Sequence, residues 1–391
     1  MRSARPLIRV EVFPTVDAVP REAELLFGPG DALHRGQSWW RTVIDHAMPA
    51  DLRPRFVLIR AGDDPVALFP MQAETPGRGF GALTTPYTCA YAPLLAPGLT
   101  EPLLLDGRKA NRGAPGDGAA AGCEIESTPA TPHTLFRSTF PATDIGAAVF
   151  AAFGRFCRRF PLTRLDALPA EWPFLDGMAA GAAAAGLVAL RFEHFGNWHE
   201  PVAGLDWAEY LAARPGALRE TVRRRLRRSE RLPAARFGLF TTPEQIGPAA
   251  EAFESVYARS WKEPEPFPRF NTALMHACSR LGTLRLGVWF LDEVPIAAQF
   301  WVVEDGIATV LKLAHDDAFR SHSPGTVLTA LMLRHLLDRE GVREIDFGRG
   351  DDAYKAGWAK CRRPRMGLLL ATPWRAGGLA AILRHGAGRV R

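Results

Sequence analysis

Cysteine is sparse in this 391-residue chain, with five residues, at 89, 123, 157, 278 and 361. They are odd in number, far apart, and show neither a C-x-x-C pair nor Cys/His ligand spacing. That argues against a disulfide framework and a structural zinc site, and fits a reducing, cytoplasmic setting. No metal is expected. No apolar run approaches the roughly 18 residues that span a bilayer. The opening stretch MRSARPLIRVEVFPTVDAVP has basic residues but no unbroken apolar core, so neither a signal peptide nor a transmembrane helix is expected. No repeat of fixed period is visible. Lysine is scarce beside arginine within the 48 basic residues, and the formal charge is +6. Such a bias favours anionic partners only where the arginines cluster.

Apolar residues, at 47%, are enough for more than one core, and the length exceeds what one core usually serves. Alternating apolar runs predict strands at 7–13, 55–59, 66–71, 163–168, 188–192, 284–291, 295–303 and 366–371. Period-3.6 patterns predict helices at 38–46, 147–156, 176–186, 244–261 and 270–281. Residues 87–95 suit a strand or a loop. Residues 106–132, rich in Gly, Ala and Pro, are expected to be a mobile insertion. A connecting helix is expected from Tyr210. The stretch ALRETVRRRLRRSERL, residues 217–232, carries the arginine cluster, which a 3.6-residue turn distributes around most of a helix. It suits a solvated linker or a wall for an anionic acceptor, an acidic surface or RNA. The tail WRAGGLAAILRHGAGRVR suits a frayed helix or a peripheral membrane contact.

The informative stretch runs from Gly306 to Trp358. Ile307 to Ala314 alternates as a strand and a short polar loop follows. Ser323 is expected to cap a helix that has Pro324 in its first position. That helix carries one broad apolar face and stops at Gly341, and 342–347 is a second strand. Strand, loop, helix and strand of these lengths form a crossover unit with the two strands parallel. Gly325 would let the backbone approach a ligand, and the free N–H groups of the first turn, with Arg320 just ahead, suit a diphosphate.

SPGTVL, a helix, then IDFGRGDDAYKAGW resembles the signature of the Fem-like branch of the GNAT acyltransferases, the BioF2-like, cellulose-biosynthesis-associated acetyltransferases. The similarity is clearest over 207–372. QSWWRTVIDHAMP and PVALFPMQ resemble the family's opening helix and first hairpin. The resemblance implies an α/β (α+β) fold of two tandem GNAT-like domains, each a mixed central sheet flanked by helices. The expected divisions are 1–200, a basic connecting helix at 201–232, a catalytic domain at 233–374 and a basic tail at 375–391. It implies transfer of an acyl group, acetyl in the first instance, from acyl-CoA to an amine in exopolysaccharide or envelope metabolism.

The same resemblance places the coenzyme A diphosphate on Arg320, Ser323, Gly325 and Thr326. It gives the thioester carbonyl backbone N–H groups near Leu313, Ala314 and His315. Proton-transfer candidates are His315, Asp316, Tyr354 and Asp346, and Lys355 matches the family's GDxxYK ending, where a lysine meets an anionic acceptor or developing charge. Gln299, Asp346, Arg224 and Arg228 are candidates for acceptor contact. The competing readings are an aminoacyl-tRNA-dependent Fem-type transferase, whose arginine helix would hold RNA, and a non-enzymatic nucleic-acid binder. The latter is disfavoured by the lack of basic residues interleaved with aromatics.

Overall fold

The computed structural model describes residues 7–28, 32–74, 79–97, 99 and 142–388. The expected insertion at 106–132 lies outside the described residues. The chain divides into two compact units, one of Met1–Ile44, Met48–Phe195 and Pro364–Arg391, the other of Asp45–Ala47 and Gly196–Arg363.

Unit 1 opens with β1 (Ile8–Phe13), α1 (Gln37–His46) and the strands β2 (Leu52–Ala61), β3 (Asp64–Glu74), β4 (Phe80–Ala82) and β5 (Leu94–Leu95). The hairpin between β2 and β3 turns at Gly62, whose φ of 66° is the left-handed conformation that favours glycine. Between Tyr87 and Leu95 the chain is mostly irregular, so the loop alternative holds there. The helix α2 (Ala142–Cys157), β6 (Leu162–Pro169), the small-residue helix α3 (Leu175–Ala184) and β7 (Val188–Pro201) follow. Phe69 on β3 stacks on Phe153 of α2, ring centroids 3.9 Å apart, which fastens the helix to one face of the sheet.

Unit 2 holds α4 (Trp207–Ala212), α5 (Gly216–Ser229), β8 (Ala235–Phe240), α6 (Ile246–Ala258), α7 (Phe270–Arg280), β9 (Leu284–Leu291), β10 (Val294–Glu304), β11 (Ile307–His315), α8 (Pro324–Asp338), β12 (Glu344–Asp346) and α9 (Lys355–Trp358). Beyond it come β13 (Cys361–Ala371) and α10 (Ala376–Gly388), of which all but the first three residues of β13 fall in unit 1. The hairpins β9–β10 and β10–β11 turn at Asp292-Glu293 and Asp305-Gly306, every one of these residues at positive φ. That is the turn whose twist matches paired strands.

Each unit has the same strand plan. In unit 1 the order is β1-β2-β3-β4-β6-β13, antiparallel except for the parallel β4–β6 pair. In unit 2 it is β8-β9-β10-β11-β12 followed by the end of β7, whose residues from Gly196 on belong to this unit, antiparallel except for the parallel β11–β12 pair. The parallel crossover expected around α8 is therefore present. The arginine-rich segment is no free connector, because Val222 and Leu226 of α5 are buried in the core of unit 2 with Val327, Leu333 and Leu337 of α8. Among the described residues no helix is long and apolar enough to cross a membrane.

Candidate functional site

In unit 2 the parallel pair is short. β11 and β12 pair only through Ile307 with Glu344, Ala308 with Ile345 and Thr309 with Asp346. β11 continues to His315 with β10 as its one strand partner among the described residues, and β12 ends. The ladder between β10 and β11 is out of step at Phe300/Trp301, a bulge of the kind that bends and twists a strand away from its neighbour. Beyond Thr309 the ladder between the two strands therefore ends, a gap in strand pairing whose mouth is marked by His315 at the end of β11 and Gly325 of α8 beside it.

One expectation at that mouth is corrected. Ser323 takes a left-handed conformation, φ 53°, and makes no side-chain cap. Its backbone N–H is used up on the carbonyl of Arg320, 2.9 Å away, closing the bend before the helix. Gly325 is explained first by a neighbour: a Cβ there would stand 3.1 Å from Nδ1 of His315. Pro324 occupies the first turn as expected, and the Arg320 guanidinium is exposed. Helix geometry leaves the Gly325 and Thr326 N–H groups without acceptors inside α8.

His315 is half-buried, its ring 4.4 Å from that of Trp261. Its Nδ1 is buried and unpaired, and Nε2 is 3.8 Å from Asp317. Burial holds the imidazole below the usual histidine range; Asp317 opposes this and Arg320 adds to it. Asp316 is committed to structure. It accepts from the Ala318 N–H at 2.9 Å and pairs with Arg259 at 2.6 Å, pinning the loop after β11. Leu313 and Ala314 lie on the stretch of β11 that pairs with Gln299 and Ala298 of β10 but not with β12, the second of them buried.

Gln299 does not face the gap. It is 1% exposed; its amide N–H donates to Thr329 Oγ1 at 2.7 Å and its carbonyl accepts from the Trp301 indole at 2.9 Å. Thr329 in turn donates to the Gly325 carbonyl at 2.9 Å, so Gln299 braces the start of α8 from beneath.

Across the gap, the chain leaves β12 through Gly348 and Gly350, both at positive φ. Asp346 anchors the exit, accepting from the Gly348 N–H and from Asn197, each at 2.7 Å, and pairing with Arg363 at 2.6 Å. Arg363 also pairs with Glu344 at 2.8 Å. Lys355, 3% exposed, donates to the carbonyls of Arg349 at 2.8 Å and Gly350 at 3.1 Å and pairs with Asp352 at 3.2 Å, so its three N–H groups all have acceptors. Tyr354 is 46% exposed, with burial around its hydroxyl and Asp352 holding it above the ordinary tyrosine range. Asp351 accepts from the Trp198 indole and binds Arg362, which holds its carboxyl below the usual range.

Arg224 and Arg228 stay on the surface of α5. With Arg223 and Arg227, also exposed, they cover an arc of about 140° at 100° per residue, so the solvent-facing arginines of the helix form one stripe rather than a ring. Arg219 and Arg225 are instead tied to the carbonyls of Ala212 and Ser321.

The sequence reading omitted residues 257–265 and Lys312, which line the same region. Lys312 pairs with Glu265 at 2.6 Å. Lys262 lies 5.9 Å from the Tyr257 ring and 5.7 Å from the Trp261 ring. The signal is the run WKEPEPF, which joins two aromatics, a cation and two acids in a loop between helices. Among the described residues, no group of His, Cys, Asp and Glu is arranged to hold a metal ion.

The short parallel pair, the irregularity at Leu311 of β11 and the start of α8 all lie in one stretch of unit 2. The family model of the acetyltransferase (GNAT) domain matches residues 216–356. Among solved structures, FemX is similar over 93% of this chain and 98% of its own at 9% identity, TM-score 0.50, a likeness of fold. A tandem GNAT protein from the clavulanic acid biosynthesis pathway matches over 93% and 99% at 14% identity, TM-score 0.47. L-PGS from Bacillus licheniformis matches over 88% and 94% at 12% identity, TM-score 0.44. No curated protein matches the chain.

Proposed function

We propose that unit 2 transfers an acyl group from an acyl-CoA to an amine acceptor, with acetyl as the first donor to test. The observation that carries this reading is the three-residue parallel pair that parts beside the amides of Gly325 and Thr326. Those amides, the positive end of α8 and the exposed Arg320 suit a diphosphate, and the unpaired edge of β11 near Leu313 to His315 suits an extended chain laid along it. The thioester supplies an activated acyl carbon when bound. The protein's own part is to hold the amine close, to accept its proton and to offer N–H groups where negative charge develops.

His315 is the candidate proton acceptor, because burial keeps the imidazole neutral near pH 7 and its Nδ1 has no partner. Asp316, Asp346 and Lys355 are assigned to positioning, since each is saturated by neighbours. A role in exopolysaccharide or envelope metabolism is proposed from the family resemblance alone.

Calorimetric titration with coenzyme A tests the reading. Binding is expected, weakened by Arg320→Ala and abolished by Gly325→Trp, which pushes an indole into the space His315 and the ligand share. No heat with coenzyme A or acetyl-CoA would overturn the proposal. The arginine stripe on α5 favours one second reading, an aminoacyl-tRNA-dependent transfer. Filter binding of tRNA at rising salt decides it: a steep salt slope lost in an Arg224→Ala/Arg228→Ala variant would support that reading, and flat weak binding eliminates it.

A further inference from the structure

Only five lysines occur in the chain, at 109, 262, 312, 355 and 360, and three of them meet beside the strand gap of unit 2. Lys262, in the loop between α6 and α7, feels Lys312 and Lys355 as like charges and Glu265 and Asp352 as opposite ones. The two carboxylates are taken. Glu265 pairs with Lys312 at 2.6 Å and Asp352 with Lys355 at 3.2 Å. Lys262 has no ion pair among the described residues, and its ammonium rests against the rings of Tyr257 and Trp261.

Among the groups that act on Lys262, three cations with Lys262 itself included face two anions already engaged by the other two, and Lys262 sits partly out of water. Burial holds Lys262 below the ordinary lysine range, and Lys312 pushes in the same direction. A partly buried cation without a counter-ion is costly, and that cost is relieved when an anion arrives.

We propose that Lys262 binds an acidic group, phosphate or carboxylate, carried by the amine acceptor, so that the acceptor is an acidic amine; this rests on the acyl-transfer reading of the same site. The acid belongs to the acceptor rather than to the acyl carrier because two of the groups acting on Lys262, Asp352 and Lys355, come from the segment that follows β12, on the other side of the gap from the start of α8. At His315, beside the start of α8, Lys262 is the weakest of the influences. Trp261, 52% exposed with its ring against His315, offers the acceptor's body an apolar face next to the candidate proton acceptor.

The test uses the full chain with its lysines dimethylated by ¹³C-formaldehyde, which keeps each one cationic. The Lys262 methyl signal is assigned by its loss in Lys262→Arg. Glucosamine 6-phosphate is compared with glucosamine, glycine with glycinamide, and coenzyme A is added alone. The expected result is that the acidic member of at least one pair moves the Lys262 signal at concentrations about tenfold lower than its neutral partner. Its titration midpoint should rise, and coenzyme A should leave the signal in place. Lys262→Met should erase the acid preference in equilibrium binding and Lys262→Arg should keep it. A signal that moves equally with both members of each pair, or with neither, overturns the proposal. A signal moved by coenzyme A assigns Lys262 to the carrier and overturns it too. Calorimetry with coenzyme A on the same sample separates the two readings: no heat together with a retained acid-selective shift removes acyl-CoA dependence and leaves the anion site standing.

Discussion

At the scale of single residues, the two sides of the gap differ in how their polar groups are used. Lys355 is saturated, so replacing it leaves the carbonyls of Arg349 and Gly350 without their donor. Lys355→Met is expected to lower turnover and thermal stability together, with a stability loss of about 1–3 kcal/mol in chemical denaturation. Turnover falling alone would return Lys355 to the chemistry. His315 behaves in the opposite way. Its folded pKa lies below the unfolded value of 6.5, so the unfolded chain takes up the proton first. Above about pH 6.5 it contributes no pH dependence, and stability then falls with pH until the folded state is protonated as well. The surrounding charges are Asp316, Asp317, Arg320 and Lys262. Denaturation midpoints between pH 7 and 5 should therefore have a shallower slope in His315→Asn than in the parent; equal slopes would remove the imidazole from the account.

At the scale of elements, α8 and the strands beside it were readable because their periodicity and length are strong signals. The parallel crossover was accordingly expected and is present. The cap is not readable, because Ser-Pro at a helix start is compatible with both a side-chain cap and a left-handed bend; here the bend is closed by the Ser323 N–H on the Arg320 carbonyl three residues back. The orientation of Gln299 is not legible in the sequence for a related reason. Alternation assigns a face to a strand residue but does not say which helix covers that face, and here α8 does. The arginine stripe emerged only when Val222 and Leu226 fixed which side of α5 is buried. Lys262 escaped notice because a charged loop between helices is ordinarily solvated, and its neighbours come from distant stretches. The brace under α8 carries its own prediction. Gln299→Leu strands the buried Trp301 indole N–H and should cost about 1–3 kcal/mol, whereas Gln299→Leu with Trp301→Phe removes both partners and should cost less than the sum of the single changes. Additive losses in urea unfolding would show that the pair is not coupled.

At the scale of the whole molecule, the units are cut from the chain differently. Unit 2 is almost one continuous stretch, 196–363, whereas unit 1 draws on residues from both ends. β6 pairs with β13 through contacts from Pro169–Arg365 to Leu162–Ala371, so unit 1 without 364–371 has an open strand edge. A fragment of 196–363 should give a dispersed amide spectrum by itself. A fragment of 1–195 should aggregate or remain poorly dispersed, and should recover when a peptide of 361–388 is supplied. A well-ordered 1–195 fragment would show that β13 is dispensable.

The late arrival of β13 also imposes an order on synthesis. Unit 2 has all of its strands from the main stretch once residue 346 has left the ribosome, while β6, made almost two hundred residues earlier, waits with one side unpaired until residue 371 emerges. During that interval the exposed edge is the place on the nascent chain where wrong strands would pair, and where a chaperone has most to protect.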